Sequence, residues 1–277
     1  MLNSREGNNM EIIKNKKDIK RIKTYINGLD ENMEGGVPEG HIVLVNGSSG
    51  TMKSSISFNT LYNEAVKGNT GCYMTLEQSS HSIIKHMVNL DFDISKINLV
   101  IISDISKIDT ELKSAKAKKG SLIMVDLSSI RKKVKDTKFS SGSDWLNAIK
   151  NIATKIAKDA QCKLFVLDSM SALYALSRFE QPRAKIFFIF EFLREIGLTS
   201  YLISESTSGK GKYTEFGVEE YLADGILHLE LAERYRKVTR DIQIVKMRAT
   251  NCNLDIFTLV YKNNKFSALE GGKTPVL

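Results

Sequence analysis

Apolar and polar positions fall along this chain in blocks of two kinds. Short apolar runs at Val43–Asn46, Cys72–Leu76, Ser121–Asp126, Lys163–Ser169 and Thr199–Ser204 read as buried strands. A longer run with alternation, Ile97–Ile105, also reads as a strand, as does Asp241–Asn251. Between them the spacing changes to helical. Ile56, Phe58, Leu61, Tyr62 and Ala65 share one face, and Ile83, Ile84, Met87 and Val88 share another. Asp144–Ala160 is amphipathic, with Trp145, Ile149, Ile152 and Ile156 on the apolar side. Arg183–Ile196 carries a stripe of Ala184, Phe187, Phe188, Phe192 and Ile196, expected to face the core, and Gly197 ends it. Arg234–Arg240 reads as a hairpin turn and Phe257–Leu269 as a closing hairpin. Strands alternating with helices predict an α/β domain.

The remaining stretches are polar. Residues 1–22 form a basic arm, densest at Lys14–Arg21, expected to be mobile or a loosely packed helix, and the domain proper is expected over 23–277. Lys107–Lys119 has helical propensity and stops at Gly120. Lys132–Ser143 reads as a loop that ends at a helix cap near Ser143 or Asp144.

Composition narrows the classes. A chain of 277 residues with 42% hydrophobic content can bury a large core. The net charge of +8 sits largely in lysine runs, which permits a polyanion partner but is commoner as a solvated face. Cys72, Cys162 and Cys252 are scattered, without zinc spacing, as expected of small buried residues in a reducing cytoplasm. No apolar run reaches the length of a membrane span, and the N-terminus lacks a signal-peptide core.

Chemistry enters where the first strong strand ends. Val43–Asn46 runs into Gly47, Ser48, Ser49, Gly50, Thr51, Met52, Lys53, Ser54 and Ser55, and a helix follows. Strand, glycine loop, Lys-Ser and helix form the layout of a phosphate-binding loop. Loop N–H groups and the positive helix end would wrap the phosphates. Lys53 would reach the β- and γ-phosphates of ATP, and Ser54 would ligate Mg²⁺. Met52 stands where a glycine is expected, so a positive φ there would strain the loop.

Two strand tips offer carboxylates. Cys72–Leu76 ends at Glu77 and Gln78, where an attacking water would be polarised, although Glu77 could instead cap the next helix. Lys163–Asp168 delivers an aspartate from an apolar strand, the pattern that places a carboxylate beside Mg²⁺. Asp126 closes a similar run. Asp168 is preferred because a long amphipathic helix precedes it, as a crossover requires.

The chain also opens with Gly28-Leu29-Asp30, Gly35-Gly36 and Pro38-Glu39-Gly40 before the strand and loop, continues with Asp168-Ser169-Met170-Ser171-Ala172 and Gly217-Val218-Glu219-Glu220, and ends with Lys246-Met247-Arg248-Ala249-Thr250. In this order, over roughly Thr24–Leu269, it resembles the single-domain KaiC-like ATPases of the RecA superfamily. The resemblance implies a RecA-like P-loop NTPase fold: a central, mostly parallel twisted sheet with helices on both faces and a C-terminal β-hairpin. It implies that Glu77 and Gln78 occupy a catalytic pair that is Glu-Glu in the family. It implies that Ser204–Ser206 lie where a polar residue senses the γ-phosphate. It implies that Lys246 and Arg248 reach the γ-phosphate of an adjacent subunit, with Thr250 among the nucleotide-binding residues. Ala249 replaces the family's glycine, and Cys252 stands where histidine is frequent. Residues 103–143 exceed what the resemblance predicts, so they are expected to be a variable insertion carrying a surface helix.

Three functions remain open at this point. One is a Mg²⁺-dependent ATPase assembled head-to-tail, as a hexameric ring, in a regulatory role; no protein partner is named by the sequence. The second is an ATP-sensing switch with slow or no turnover, motivated by Met52 and Gln78. The third is a RecA-like single-stranded DNA binder, motivated by net charge and the Gly209–Tyr213 loop with Lys210 and Lys212.

Overall fold

The computed structural model describes residues 14–134, 142–177, 181–206, 213–234 and 236–270. Thirteen strands are present among them. Short strands β1 (Arg21–Ile22), β2 (Ile26–Asn27) and β3 (Val37–Pro38) precede β4 (Ile42–Gly47). Then come α1 (Lys53–Val66), β5 (Gly71–Thr75), α2 (Ser80–Asn89), β6 (Asn98–Ile102), α3 (Ile108–Ala117), β7 (Ser121–Asp126), α4 (Leu127–Val134), α5 (Gly142–Asp159) and β8 (Leu164–Asp168). The chain continues through α6 (Met170–Ser177), α7 (Pro182–Glu195), β9 (Thr199–Glu205), α8 (Val218–Leu222) and strands β10 (Gly225–Arg234), β11 (Lys237–Met247), β12 (Ile256–Lys262) and β13 (Lys265–Glu270).

β1 and β3 pair with each other, and the other strands form one eleven-stranded sheet in the order β2-β13-β12-β11-β10-β4-β9-β8-β5-β7-β6. From β10 to β6 every neighbouring pair is parallel. Strands that need crossover helices must be covered on both faces, which is why they read as unbroken apolar runs. Period-two alternation divides their side chains. Leu44, Met74, Val125, Phe165 and Leu202 pack under α3, α5, α6 and α7, whereas Val45, Tyr73, Met124, Val166 and Ile203 pack under α1 and α2. The C-terminal hairpin expected at Phe257–Leu269 is β12–β13, and it is the end of a longer antiparallel meander from β10 to β13.

Five expectations are revised. Arg21 and Ile22 are part of the folded domain, because β1 pairs with β3 and the Arg21 guanidinium bonds Gly36 O, Thr250 Oγ1, Ala249 O and Glu34. Lys16–Asp18 is one 3₁₀ turn, and residues 1–13 of the arm lie outside the described residues. The Lys107–Lys119 helix is no free surface helix: α3 connects β6 to β7 and buries Ile108, Leu112 and Ala115. The loop expected from Lys132 begins later, since α4 runs to Val134. On α2, Val88 is exposed and Ile83 and Met87 carry the buried contact.

The fifth revision concerns α7. Its buried residues are Ile186, Ile189, Phe190 and Leu193, whereas Phe187 and Phe188 are 44% and 52% exposed and Ala184 is also exposed. The run Ile186–Phe190 is apolar all round, so helical periodicity admits two neighbouring faces. Packing against Leu146 and Ile149 of α5 and Phe165 of β8 selects the one centred on Ile189.

Candidate functional site

In a parallel sheet the carboxyl ends of the strands share one edge, and register fixes what meets there. Gly47 at the end of β4 lies opposite Glu205 at the end of β9. Asp168 at the end of β8 lies opposite Ile203 on one side and Thr75 on the other. The phosphate loop, Glu77, Asp168 and Glu205 therefore converge, and they line a cleft of about 680 Å³ with Ser49–Ser55, Gln78, Ser169 and Arg240.

The loop turns at Gly47, where a Cβ would stand 2.1 Å from Leu229 O, so no other residue fits. Gly50 has φ +81°. Thr51 is buried and its Oγ1 donates to Ser48 O at 2.8 Å. Met52, at φ 73° and ψ 23°, is the N-cap of α1 in left-handed backbone. The position does require positive φ, and methionine adopts it at a cost of about 1–2 kcal/mol. Lys53 is buried and folds into the loop, donating from Nζ to Gly47 O at 2.8 Å and Ser48 O at 2.7 Å. Burial lowers its ammonium pKa against the opposing fields of Glu205, Asp168 and Glu77.

Ser54 Oγ donates to Asp168 Oδ2 at 2.9 Å, and the Tyr73 hydroxyl donates to the same oxygen. Burial raises the Asp168 pKa, opposed by the hydrogen bonds from Tyr73 and Ser54. Ser169, joined to Asp168 by a cis peptide, donates from Oγ to Glu77 Oε1 at 2.5 Å. The N-cap of α2 is Ser79, which accepts from Ser82 N, so Glu77 does not fill that role. Gln78 is exposed in the cleft and its carbonyl accepts from Thr75 Oγ1. Ser55 Oγ lies 3.3 Å from His86 Nε2 on α2. Asp126 is spoken for elsewhere: it accepts from Ser80 N at 2.8 Å, Ser128 Oγ and Ser129 N, and so fastens the starts of α2 and α4.

The donor chemistry fits Mg²⁺. That cation takes oxygen ligands and keeps several waters. Ser54 and Asp168 present a hydroxyl and a carboxylate side by side at the start of α1. Among the described residues no cluster of three or more His, Cys, Asp or Glu could hold a metal unaided, so phosphate and water oxygens would complete the shell. Glu77, Asp168 and Glu205 set three carboxylates against the two cations Lys53 and Arg240 in the cleft. Such a site repels a bare polyphosphate and favours one that arrives with its cation.

Three sequence-chosen residues are not brought to this cleft by their own chain. β11 runs antiparallel to β10, so Met247 lies opposite Gly225 and beyond it Val43, at the amino edge of the sheet. Lys246, Arg248 and Thr250 consequently sit at the opposite end of β4 from Gly47, about 13 Å or more away at roughly 3.3 Å per residue. Lys246 Nζ donates to Glu220 O and Ala223 O, Arg248 to Asp224 Oδ1 at 2.9 Å and Tyr221 O, and Thr250 accepts from Arg21. The same reversal carries Arg240, at the other end of β11, to the phosphate loop, where Nε donates to Gly50 O at 2.9 Å. Sequence reading placed Arg240 in a hairpin turn and missed it. It also missed Tyr73, Ser169 and His86, whose roles depend on neighbours distant in the chain. Ser204 is buried near the end of β9, and its Oγ has no hydrogen-bond partner among the described residues. Lys210 and Lys212 lie outside the described residues. No helix among the described residues is long and apolar enough to cross a membrane.

The comparisons agree with this fold. The family model described as "ATPase: KaiC" matches residues 22–118 and 100–267. A UPF0273 protein of Saccharolobus solfataricus is 31% identical over 241 residues, 85% of this chain and 78% of that protein. The circadian clock protein KaiC3 of Synechocystis is 25% identical over 248 residues, covering 89% of this chain and 45% of the relative. The crystal structure of a KaiC-like protein from Pyrococcus horikoshii superposes with a TM-score of 0.69 at 25% identity, covering 90% of this chain and 99% of that one. The chain belongs to the KaiC ATPase family, with a KaiC-like domain of the RecA superfamily built to bind ATP.

Proposed function

We propose that the cleft binds ATP with Mg²⁺ and hydrolyses it to ADP and phosphate. The observation that carries this reading is the Ser54–Asp168 contact of 2.9 Å beside a lysine buried in a glycine loop. Loop N–H groups from Gly47 to Ser55 and the start of α1 hold the phosphates. Lys53 exchanges its bonds to Gly47 O and Ser48 O for phosphate oxygens, and Arg240 adds a second cation from β11. Ser54 and Asp168 hold the Mg²⁺, which supplies charge neutralisation of the β- and γ-phosphates. Glu77, aligned by Ser169, orients and deprotonates the attacking water. Gln78 contributes a hydrogen-bonding amide where a second carboxylate would stand.

Lys246, Arg248 and Thr250 act on the nucleotide of a neighbouring copy in this reading. Donors at one sheet edge and the nucleotide at the other require a head-to-tail contact, and a closed ring such as a hexamer satisfies every subunit. A trans cation stabilises charge on the transferring phosphoryl group, which couples turnover to assembly and suits a regulatory ATPase.

A second reading has its own support. Gln78 removes one carboxylate, and Ser169 occupies Glu77 Oε1. Both favour a switch that binds ATP and turns over slowly. Two measurements decide. Lys53→Ala is expected to lower ATP affinity by at least about 100-fold, and unchanged affinity would remove the nucleotide site. Single-turnover phosphate release separates enzyme from switch: fast release that Glu77→Gln abolishes supports hydrolysis.

A further inference from the structure

Tyr73 is wholly buried on β5, one strand away from Asp168, and its hydroxyl donates to Asp168 Oδ2. A buried phenol usually finds a partner, so a tyrosine satisfied by the nearest carboxylate is the simplest account. The particulars go further. Oδ2 also accepts from Ser54 Oγ at 2.9 Å. Two donors on one oxygen, one from the core and one from the phosphate loop, fix both torsions of the aspartate. Among the described residues no hydrogen bond falls on Oδ1, and Asp168 lines the cleft. The Ser54 bond would be compatible with a bound metal, because a hydroxyl that gives a lone pair to a cation keeps its proton to donate. Phenylalanine would fill the same volume among Phe58, Val166 and Ile203, so packing alone does not explain the hydroxyl.

We propose that Tyr73 is a positioning residue for the metal: from the core side of the sheet it clamps Oδ2 of Asp168, and so presents the carboxylate to the Mg²⁺ shell. This rests on the nucleotide reading given above. Groups that orient metal ligands typically carry 10- to 100-fold in metal affinity.

The test is Tyr73→Phe in the full chain, with binding of a fluorescent ADP analogue followed by Mg²⁺ titration. The half-saturating Mg²⁺ concentration is expected to rise about 10-fold, with ADP affinity in EDTA unchanged. Added to Asp168→Asn, the same substitution is expected to change nothing more, because its effect runs through Asp168. A Tyr73→Phe protein with a wild-type circular dichroism spectrum and a wild-type Mg²⁺ titration overturns the proposal. If wild type shows no Mg²⁺-dependent nucleotide binding, the nucleotide reading itself has failed, which is a separate outcome. A second measurement needs no variant fold. The Tyr73 hydroxyl proton, seen by NMR in wild type, is expected to stay protected when Mg²⁺ and ADP are added, and its release to solvent exchange would overturn the clamp.

Discussion

Arg240 Nε and the carbonyl oxygen of Gly50 lie 2.9 Å apart, and that bond joins the antiparallel block of the sheet to the phosphate loop. It puts a cation at the cleft from a strand whose other end carries Lys246. Arg240→Ala is expected to weaken Mg²⁺–ATP binding about 10-fold, the low end for a charge-assisted hydrogen bond at an exposed position. Arg240→Lys recovers part of that loss, as charge without the guanidinium fork. Calorimetric titration of both variants checks this, and an unchanged Arg240→Ala excludes the residue from the site.

Met52 holds left-handed backbone at φ 73°. Replacing it by glycine removes a steric cost of about 1–2 kcal/mol and restores unfolded-state entropy of about 0.5–1 kcal/mol. A net stabilisation of about 0.5 kcal/mol is expected, read as a rise of one or two degrees in thermal midpoint. A fall would mean that the packing of the Met52 side chain outweighs the strain.

Asp126 is almost wholly buried. Burial pushes its pKa up, and hydrogen bonds from Ser129, Ser80 and Ser128 outweigh that, so its net pKa is lowered. A depressed carboxylate pKa stabilises the fold above the unfolded value, near 3.9, and that contribution fades as pH falls through the folded value. Asp126→Ala is expected to cost about 1–3 kcal/mol at neutral pH, with the difference from wild type shrinking below about pH 4. Its Mg²⁺ dependence of nucleotide binding stays that of wild type, whereas Asp168→Ala loses it. Denaturant unfolding at several pH values and a Mg²⁺ titration test both halves.

Arg248 and Lys53 sit at opposite edges of the sheet. If Arg248 acts on a neighbour, Arg248→Ala and Lys53→Ala are each inactive alone, but mixed subunits pair an intact Lys53 with an intact Arg248. A re-assembled equimolar mixture is expected to hydrolyse ATP several-fold faster than the mean of the two variants. A mixture no faster than that mean rules out action across subunits.

Much of the parallel core was readable because strand periodicity and loop chemistry are local. Val43–Asn46, Cys72–Leu76 and Leu164–Asp168 are apolar runs that leave few alternatives, and Lys53-Ser54 after Gly47 and Gly50 has a specific meaning. Order in the chain also distinguishes the two aspartates that end apolar strands: Asp168 lines the cleft, and Asp126 holds Ser80, Ser128 and Ser129. The α7 face was not readable. Phe187 and Phe188 outrank Ile186 and Ile189 in size, yet the run Ile186–Phe190, apolar all round, takes its orientation from its neighbours.

By itself the sequence determined that a glycine loop with Lys53 and Ser54 follows a buried strand and that two further strand tips carry acids, since each depends on residues a few positions apart and on the parallel geometry that crossover helices impose. Tertiary structure decided what stands beside them. The antiparallel return of β11 sends Arg240 to the cleft and Lys246, Arg248 and Thr250 to the opposite edge, and the pairing of β5 with β8 sets Tyr73 on Asp168. The β10–β11 hairpin is local, but its place beside β4, like the pairing of β5 with β8, joins strands distant in the chain, whose register is set by how two buried faces fill, and no local pattern encodes that.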